Sequence, residues 1–210
     1  MLGLLQREPL VFFLLAIGLV GAISIHEYGH ALAADLQGDR LPRAMGRLTL
    51  NPVRHLDPLG TLCLLLVGFG WGKPVEFRHQ ALSSKRFGAA IVALAGPAMN
   101  LLLALATALV IVATDTESVA ATEASAFQLF LRLFFGINVL LAVFNLIPLP
   151  PLDGSRLLTI FLPPSKQRII FFLDQYGFLI LLALVFFGGI ELFGPIISWT
   201  GRAILSLAGA

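Results

Sequence analysis

The pentapeptide HEYGH at positions 26–30 follows PLVFFLLAIGLVGAISI, a run without a charged residue. On a helix, His26 and His30 stand one turn apart on one face, so both imidazoles can reach a single ion. Glu27 projects from a neighbouring face, where it can hold a water and take its proton without being a ligand. A zinc ion lowers the pKa of its bound water to about 7 and polarises a peptide carbonyl, which makes a nucleophile at neutral pH. The trio is therefore suited to hydrolysis of a peptide bond. Ionisable groups in a membrane-type stretch are costly and usually functional, which weighs against three satisfied polar residues at a helix end.

The elements that must position these residues follow from composition. Of 210 residues, 58% are hydrophobic and 12% are charged. Soluble domains carry about 25% charged residues, so the chain reads as an integral membrane protein in one domain, 1–210. A net charge of +2 gives no argument for nucleic acid, and a single cysteine excludes an intrachain disulfide and a cysteine-only metal site. Apolar stretches recur at about 10–25, 58–70, 87–113, 126–147, 169–190 and 193–208. The predicted fold is an all-α polytopic bundle of about six membrane segments. The first segment reads as a retained span that continues as a helix to about Leu36. The short, glycine-rich 58–70 reads as a partial or re-entrant element, with a small β-hairpin or loop after it. The last stretch reads as either a short span or an interfacial helix.

Eight of the 14 Lys and Arg residues fall between positions 37 and 86. That section is predicted to be cytoplasmic. The connection 114–125 has no Lys or Arg and is predicted outside; 148–168 carries Arg156, Lys166 and Arg168 and is predicted inside. His26, Glu27 and His30 then lie near the cytoplasmic end of the first helix. The segment IPLPPLDG at 147–154 falls at the same depth.

A catalytic zinc takes three protein ligands and a water, so a third ligand must come from elsewhere. Asp115, Glu117 and Glu123 lie on the wrong side, and Asp35 and Asp39 fall beyond the helix end. Cys63 is possible and Asp174 is a weaker candidate. Asp153 is the best choice: Pro148, Pro150 and Pro151 cannot extend the preceding helix, and broken backbone at membrane depth is tolerated where it lines a cavity. Gly154 lets the chain turn directly after the acid. Iron or cobalt would suit the same ligands as zinc.

HEYGH, together with NLIPLPPLDG about 120 residues later, resembles the site-2 proteases, the intramembrane zinc metalloproteases. The resemblance implies that His26, His30 and Asp153 bind one zinc per chain and that Glu27 is the catalytic base. It implies that Asn145 sits by the site and contacts substrate backbone or transition state. AGPAMN at 95–100 resembles another family element, in which Asn100 makes a polar contact inside the bundle. NPVRHLDPLG at 51–60 is similar to a segment of the compact bacterial branch. No PDZ-like or CBS-like domain is read in the chain, and the core motifs span about 10–165. The implied activity is cleavage of transmembrane segments of membrane-tethered proteins in the bacterial inner membrane. The active site would face the cytoplasm, with separate membrane partners as regulators.

Glycine alternation in GFGWGKPVEFR at 68–78 argues against a helix. In the resembled family this region forms a membrane-associated β element, and a free strand edge would hold an unwound substrate. Trp71, Val75 and Phe77 are the candidates; a structural re-entrant loop is the simpler alternative. For His55 and Asp57, helix capping or a contact behind the metal ligands is favoured over a second metal. His79 reads as solvated, and Arg132 is placed to snorkel outward. A divalent-metal transporter, which would need neither Glu27 beside His26 nor a proline-broken acid, and a non-catalytic scaffold of the same fold are the competing readings.

Overall fold

The computed structural model describes residues 2–67, 70–85, 87–116, 119–120, 123–161 and 167–210. Its helices are α1 (Leu2–Arg7), α2 (Pro9–Leu36), α3 (Leu41–Ala44), α4 (Pro58–Val67) and α5 (Gly88–Ala113). They continue with α6 (Ala126–Asn145), α7 (Ser155–Phe161), α8 (Gln167–Phe186) and α9 (Gly189–Ala208). Gly68, Arg86, Glu117 and Lys166, which entered the patterning and topology arguments, lie outside the described residues.

Pro9 opens α2 at its first turn, where a missing N–H costs nothing. Its 28 residues extend about 42 Å, beyond the roughly 30 Å of a bilayer core. Gly38 stops it with a φ of +101°. Asp39 N–H then donates to Ala34 O and Gly38 N–H to Asp35 O, a Schellman closure. Asp35, expected beyond the helix end, lies instead in its last turn, because α2 runs on to Leu36, and is bound by Arg40 and Arg43. Ser125 and Gln128 cap the start of α6 reciprocally. The bundle centres on α2, α5 and α6, with α9 against α5 and α6. Ala104 and Ala108 of α5 meet Val139 and Val143 of α6 and Ile204 of α9 in a buried cluster. The small alanines let these helices approach closely, as membrane bundles require.

Among the described residues, four helices are long and apolar enough to cross a bilayer: α2, α5, α6 and, from Arg168 to Val185, α8. They account for four of the six expected membrane segments; the other two, 58–70 and 193–208, were read as a partial or re-entrant element and as a short span or interfacial helix. At 10 residues, α4 reaches about 15 Å and cannot span. The 20 residues of α9 include Glu191 and Arg202, both exposed, and fall short of the other four in apolar character. Nor do the described residues contain a strand; the expected hairpin reduces to one antiparallel bridge, Leu56 to Gly72. The physical reason is local. Pro74 carries no N–H, and the opposing chain enters α4 two residues after Leu56, so no second pair can form.

Residues 70–78 are nevertheless pinned at several points. Lys73 N–H donates to His55 O at 2.7 Å. The largely buried Arg47 donates to the Arg54 and Lys73 carbonyls. At the far end, the buried Asp39 accepts from the Arg78 guanidinium and backbone and from Leu41 N–H. Burial pushes the Asp39 carboxyl up, but these hydrogen bonds outweigh it and hold it below the usual carboxylate range.

Candidate active site

Gly29, between the two histidines, is buried against α5. A Cβ there would stand 2.7 Å from Met99 Cγ and 2.8 Å from the Ala95 carbonyl. That close approach brings His30 Nδ1 within 2.7 Å of the Val92 carbonyl. A carbonyl only accepts, so His30 carries its hydrogen on Nδ1 and presents a lone pair at Nε2. His26 Nδ1 lies 2.5 Å from Asn100 Oδ1 on α5, which commits that ring in the same way.

Both Nε2 atoms face Asp153 Oδ2, at 3.0 Å for His26 and 3.2 Å for His30, and lie 3.1 Å from each other. With neutral imidazoles, three lone-pair atoms converge and no hydrogen is left to join them. A cation resolves this. Two ligands about 2.0–2.1 Å from a tetrahedral zinc stand about 3.3 Å apart, close to the separations here. Donor types and spacing therefore fit zinc. Among the described residues this is the only group of three metal-ligating side chains so arranged.

Asp153 is delivered by the loop between α6 and α7. Leu149 and Leu152 of this loop pack with Leu181 of α8. Gly154 N–H closes on Asn145 O at 2.7 Å. A Cβ on Gly154 would meet the Leu146 and Ile147 carbonyls, so glycine serves close approach here rather than a left-handed turn. Gly96 of α5 packs against the two convergent nitrogens themselves: a Cβ there would collide with His26 Nε2 and His30 Nε2. The Gly96→Ala variant is expected to lose zinc affinity by at least the roughly 10–100-fold typical of lesions just behind metal ligands, measured by chelator competition.

A cavity of about 530 Å³ opens over these groups. His26, Glu27, His30, Asp153 and Asn145 line it, as do Trp71, Val75 and Phe77 from the 70–78 segment. Glu27 lies toward that segment: a Cβ on Gly72 would stand 3.4 Å from Glu27 Oε1. Asn145 Nδ2 donates to Leu141 O at 3.0 Å. Among the described residues no hydrogen bond engages the backbone of residues 74–77.

Other candidates separate from the site. His55 is fully buried, closes the Pro52–Arg54 turn and donates from Nε2 to Thr49 O at 2.7 Å, with no hydrogen bond to the three convergent groups. Its backbone, through Lys73, supports the cavity wall. Asp57 caps α4 by accepting from Gly60 N–H at 2.8 Å. Cys63 on α4 and the exposed Asp174 on α8 stand apart from the cluster. His79 is exposed, with its ring against Phe77. Arg132 donates to the Thr116 and Val119 carbonyls. Two residues at the site were not singled out from sequence. Arg156 lines the cavity, three residues after Asp153. Asn138, fully buried, accepts from Asn100 Nδ2 at 2.9 Å. Its signal was an amide in an apolar helix, two turns before Asn145.

The profile described as peptidase family M50 matches residues 13–128 and 108–186. "Putative zinc metalloprotease YwhC" of Bacillus subtilis (strain 168) is 38% identical over 173 residues, covering 81% of this chain and 78% of that protein. "Putative zinc metalloprotease Rip2" of Mycolicibacterium smegmatis is 35% identical over 182 residues, 83% of this chain and 67% of that protein. Its Mycobacterium tuberculosis H37Rv namesake is 33% identical over 185 residues, with the same coverage. No solved structure gives a significant match. With helices apolar enough to span a membrane and a donor set that fits zinc, the chain belongs to peptidase family M50, the site-2 proteases, and is a zinc-dependent metalloendopeptidase of the membrane.

Proposed function

We propose that this protease cleaves peptide bonds in transmembrane segments of other membrane proteins, with His26, His30 and Asp153 holding zinc and Glu27 as general base. One observation carries the reading: three lone-pair atoms converge at 3.0–3.2 Å while both Nδ1 positions are committed elsewhere. Bound there, zinc would supply Lewis acidity, which acidifies a water and polarises the scissile carbonyl. Glu27 takes the attacking water's proton and returns it to the amide nitrogen as the C–N bond breaks. The apolar walls of Phe144, Phe178 and Leu181 keep bulk water from the reacting peptide. The excess of Lys and Arg at 37–86 supports a site on the cytoplasmic side, and the bacterial relatives support a bacterial cell membrane.

A helical substrate hides its carbonyls in hydrogen bonds four residues apart, so the scissile bond must be held extended. Among the described residues no hydrogen bond engages the backbone of residues 74–77 on the cavity wall, and they are suited to pair with such a strand. The Val75→Pro variant removes one donor from that edge. Its expected result is a loss of cleavage of about tenfold, the worth of one or two backbone hydrogen bonds, with zinc content unchanged. Cleavage equal to wild type would remove this segment from substrate binding. The whole reading is tested by reconstituting the protein in liposomes with a single-span membrane substrate and measuring zinc and cleavage together. Stoichiometric zinc with metal-dependent cleavage inside the span is expected; wild-type protein that binds no zinc would overturn it.

A further inference from the structure

We propose that Asn138 is a positioning residue for the metal centre, acting through Asn100 to hold His26 in the tautomer that presents Nε2 to the metal. This rests on the reading of His26 as a ligand. His30 gets its orientation directly, from the Val92 carbonyl. His26 has an amide as its neighbour, and an amide offers either an oxygen or an NH2 to the ring. Something must decide which end faces His26.

Carbonyls at two points of the chain decide it. Asn138 Nδ2 donates to the Phe134 carbonyl at 2.8 Å, so Asn138 Oδ1 is left as an acceptor. Asn100 Nδ2 fills that acceptor at 2.9 Å and also donates to the Ala22 carbonyl at 3.3 Å. Both hydrogens of the Asn100 amide are then used. Its Oδ1 must face His26 Nδ1, which must carry the hydrogen. Flipping either amide would set oxygen against oxygen and NH2 against NH. Asn100 and Asn138 are fully buried, so water cannot restore the order. The relay crosses α6, α5 and α2, and among the described residues no hydrogen bond joins Asn138 to the histidine it orients.

The simpler role for Asn138 is adhesion between α5 and α6, and the test separates the two. In Asn138→Leu the Asn100 amide keeps only its longer 3.3 Å bond to the Ala22 carbonyl to set its orientation, and zinc affinity by chelator competition is expected to fall about tenfold. In the zinc-loaded protein the His26 Nδ1–H signal in the imidazole 15N spectrum is expected to weaken through solvent exchange. In Asn138→Asp an oxygen still faces Asn100, whether the acid is neutral or charged, so zinc affinity should stay within about threefold of wild type. Asn138→Ala provides a second apolar variant if leucine is not accommodated. A lower melting temperature with wild-type zinc affinity and an unchanged Nδ1–H signal would leave adhesion only. A loss in Asn138→Asp equal to that in Asn138→Leu would also overturn the relay. His26→Ala is the control: if it retains wild-type zinc affinity, the ligand assignment fails, whereas loss there with none in Asn138→Leu fails the relay alone.

Discussion

Replacing Glu27 with glutamine is expected to lower the rate of peptide cleavage by about 10²–10⁴-fold, the range that general acid–base catalysis contributes, while zinc stays bound. Glutamine keeps the length of the side chain and can still hold a water, but it cannot accept the water's proton. The zinc half of the expectation comes from geometry. The convergent atoms are the two Nε2 nitrogens and Asp153 Oδ2, and Glu27 is not among them. Its Oε1 lies toward Gly72, on the side of the cavity where the extended segment runs. Metal analysis and a cleavage assay on one preparation read both halves. Cleavage near the wild-type rate would show that Glu27 is not the base, and zinc lost together with activity would show that it helps to bind metal.

The Asp153→Ala variant is expected to lose both metal and activity. The substitution removes the only oxygen donor from a set of three and leaves two imidazoles 3.1 Å apart. Lesions merely behind a metal ligand cost about 10–100-fold in affinity, so loss of a ligand should exceed that, and cleavage should fall to background. Asp174→Ala and Cys63→Ala are the matched controls. Both residues stand outside the cluster, and both variants should keep stoichiometric zinc. A wild-type affinity in Asp153→Ala, or a loss in either control, would redirect the assignment of the third ligand.

Much of this arrangement was legible in residue order. The expected first helix to about Leu36 is α2, and the stretches 87–113 and 126–147 correspond to α5 and α6 within two residues at each end. The glycine-rich 58–70, read as a partial or re-entrant element, holds a helix too short to span. The expectation was less exact just after it, where the described residues form one bridge in place of a hairpin. Strand pairing depends on a partner segment, and here α4 takes over the partner chain almost at once. Asn138 escaped notice for a related reason. A single amide in an apolar helix has no meaning until its neighbour across the helix interface is known.

Two kinds of information therefore divide the site. Residue types and spacing alone determined that His26 and His30 share a helical face, that Glu27 is offset from it, and that prolines end α6 before Asp153. These are consequences of the 3.6-residue turn and of backbone chemistry, which act over a few positions. Only the tertiary structure decided which acid faces the histidines, which amides order the ring hydrogens, and that residues 70–78 wall the same cavity. Those outcomes depend on contacts between segments as far apart as 127 positions. They depend on helices brought together at Gly29 and Gly96, where no side chain keeps α2 and α5 apart.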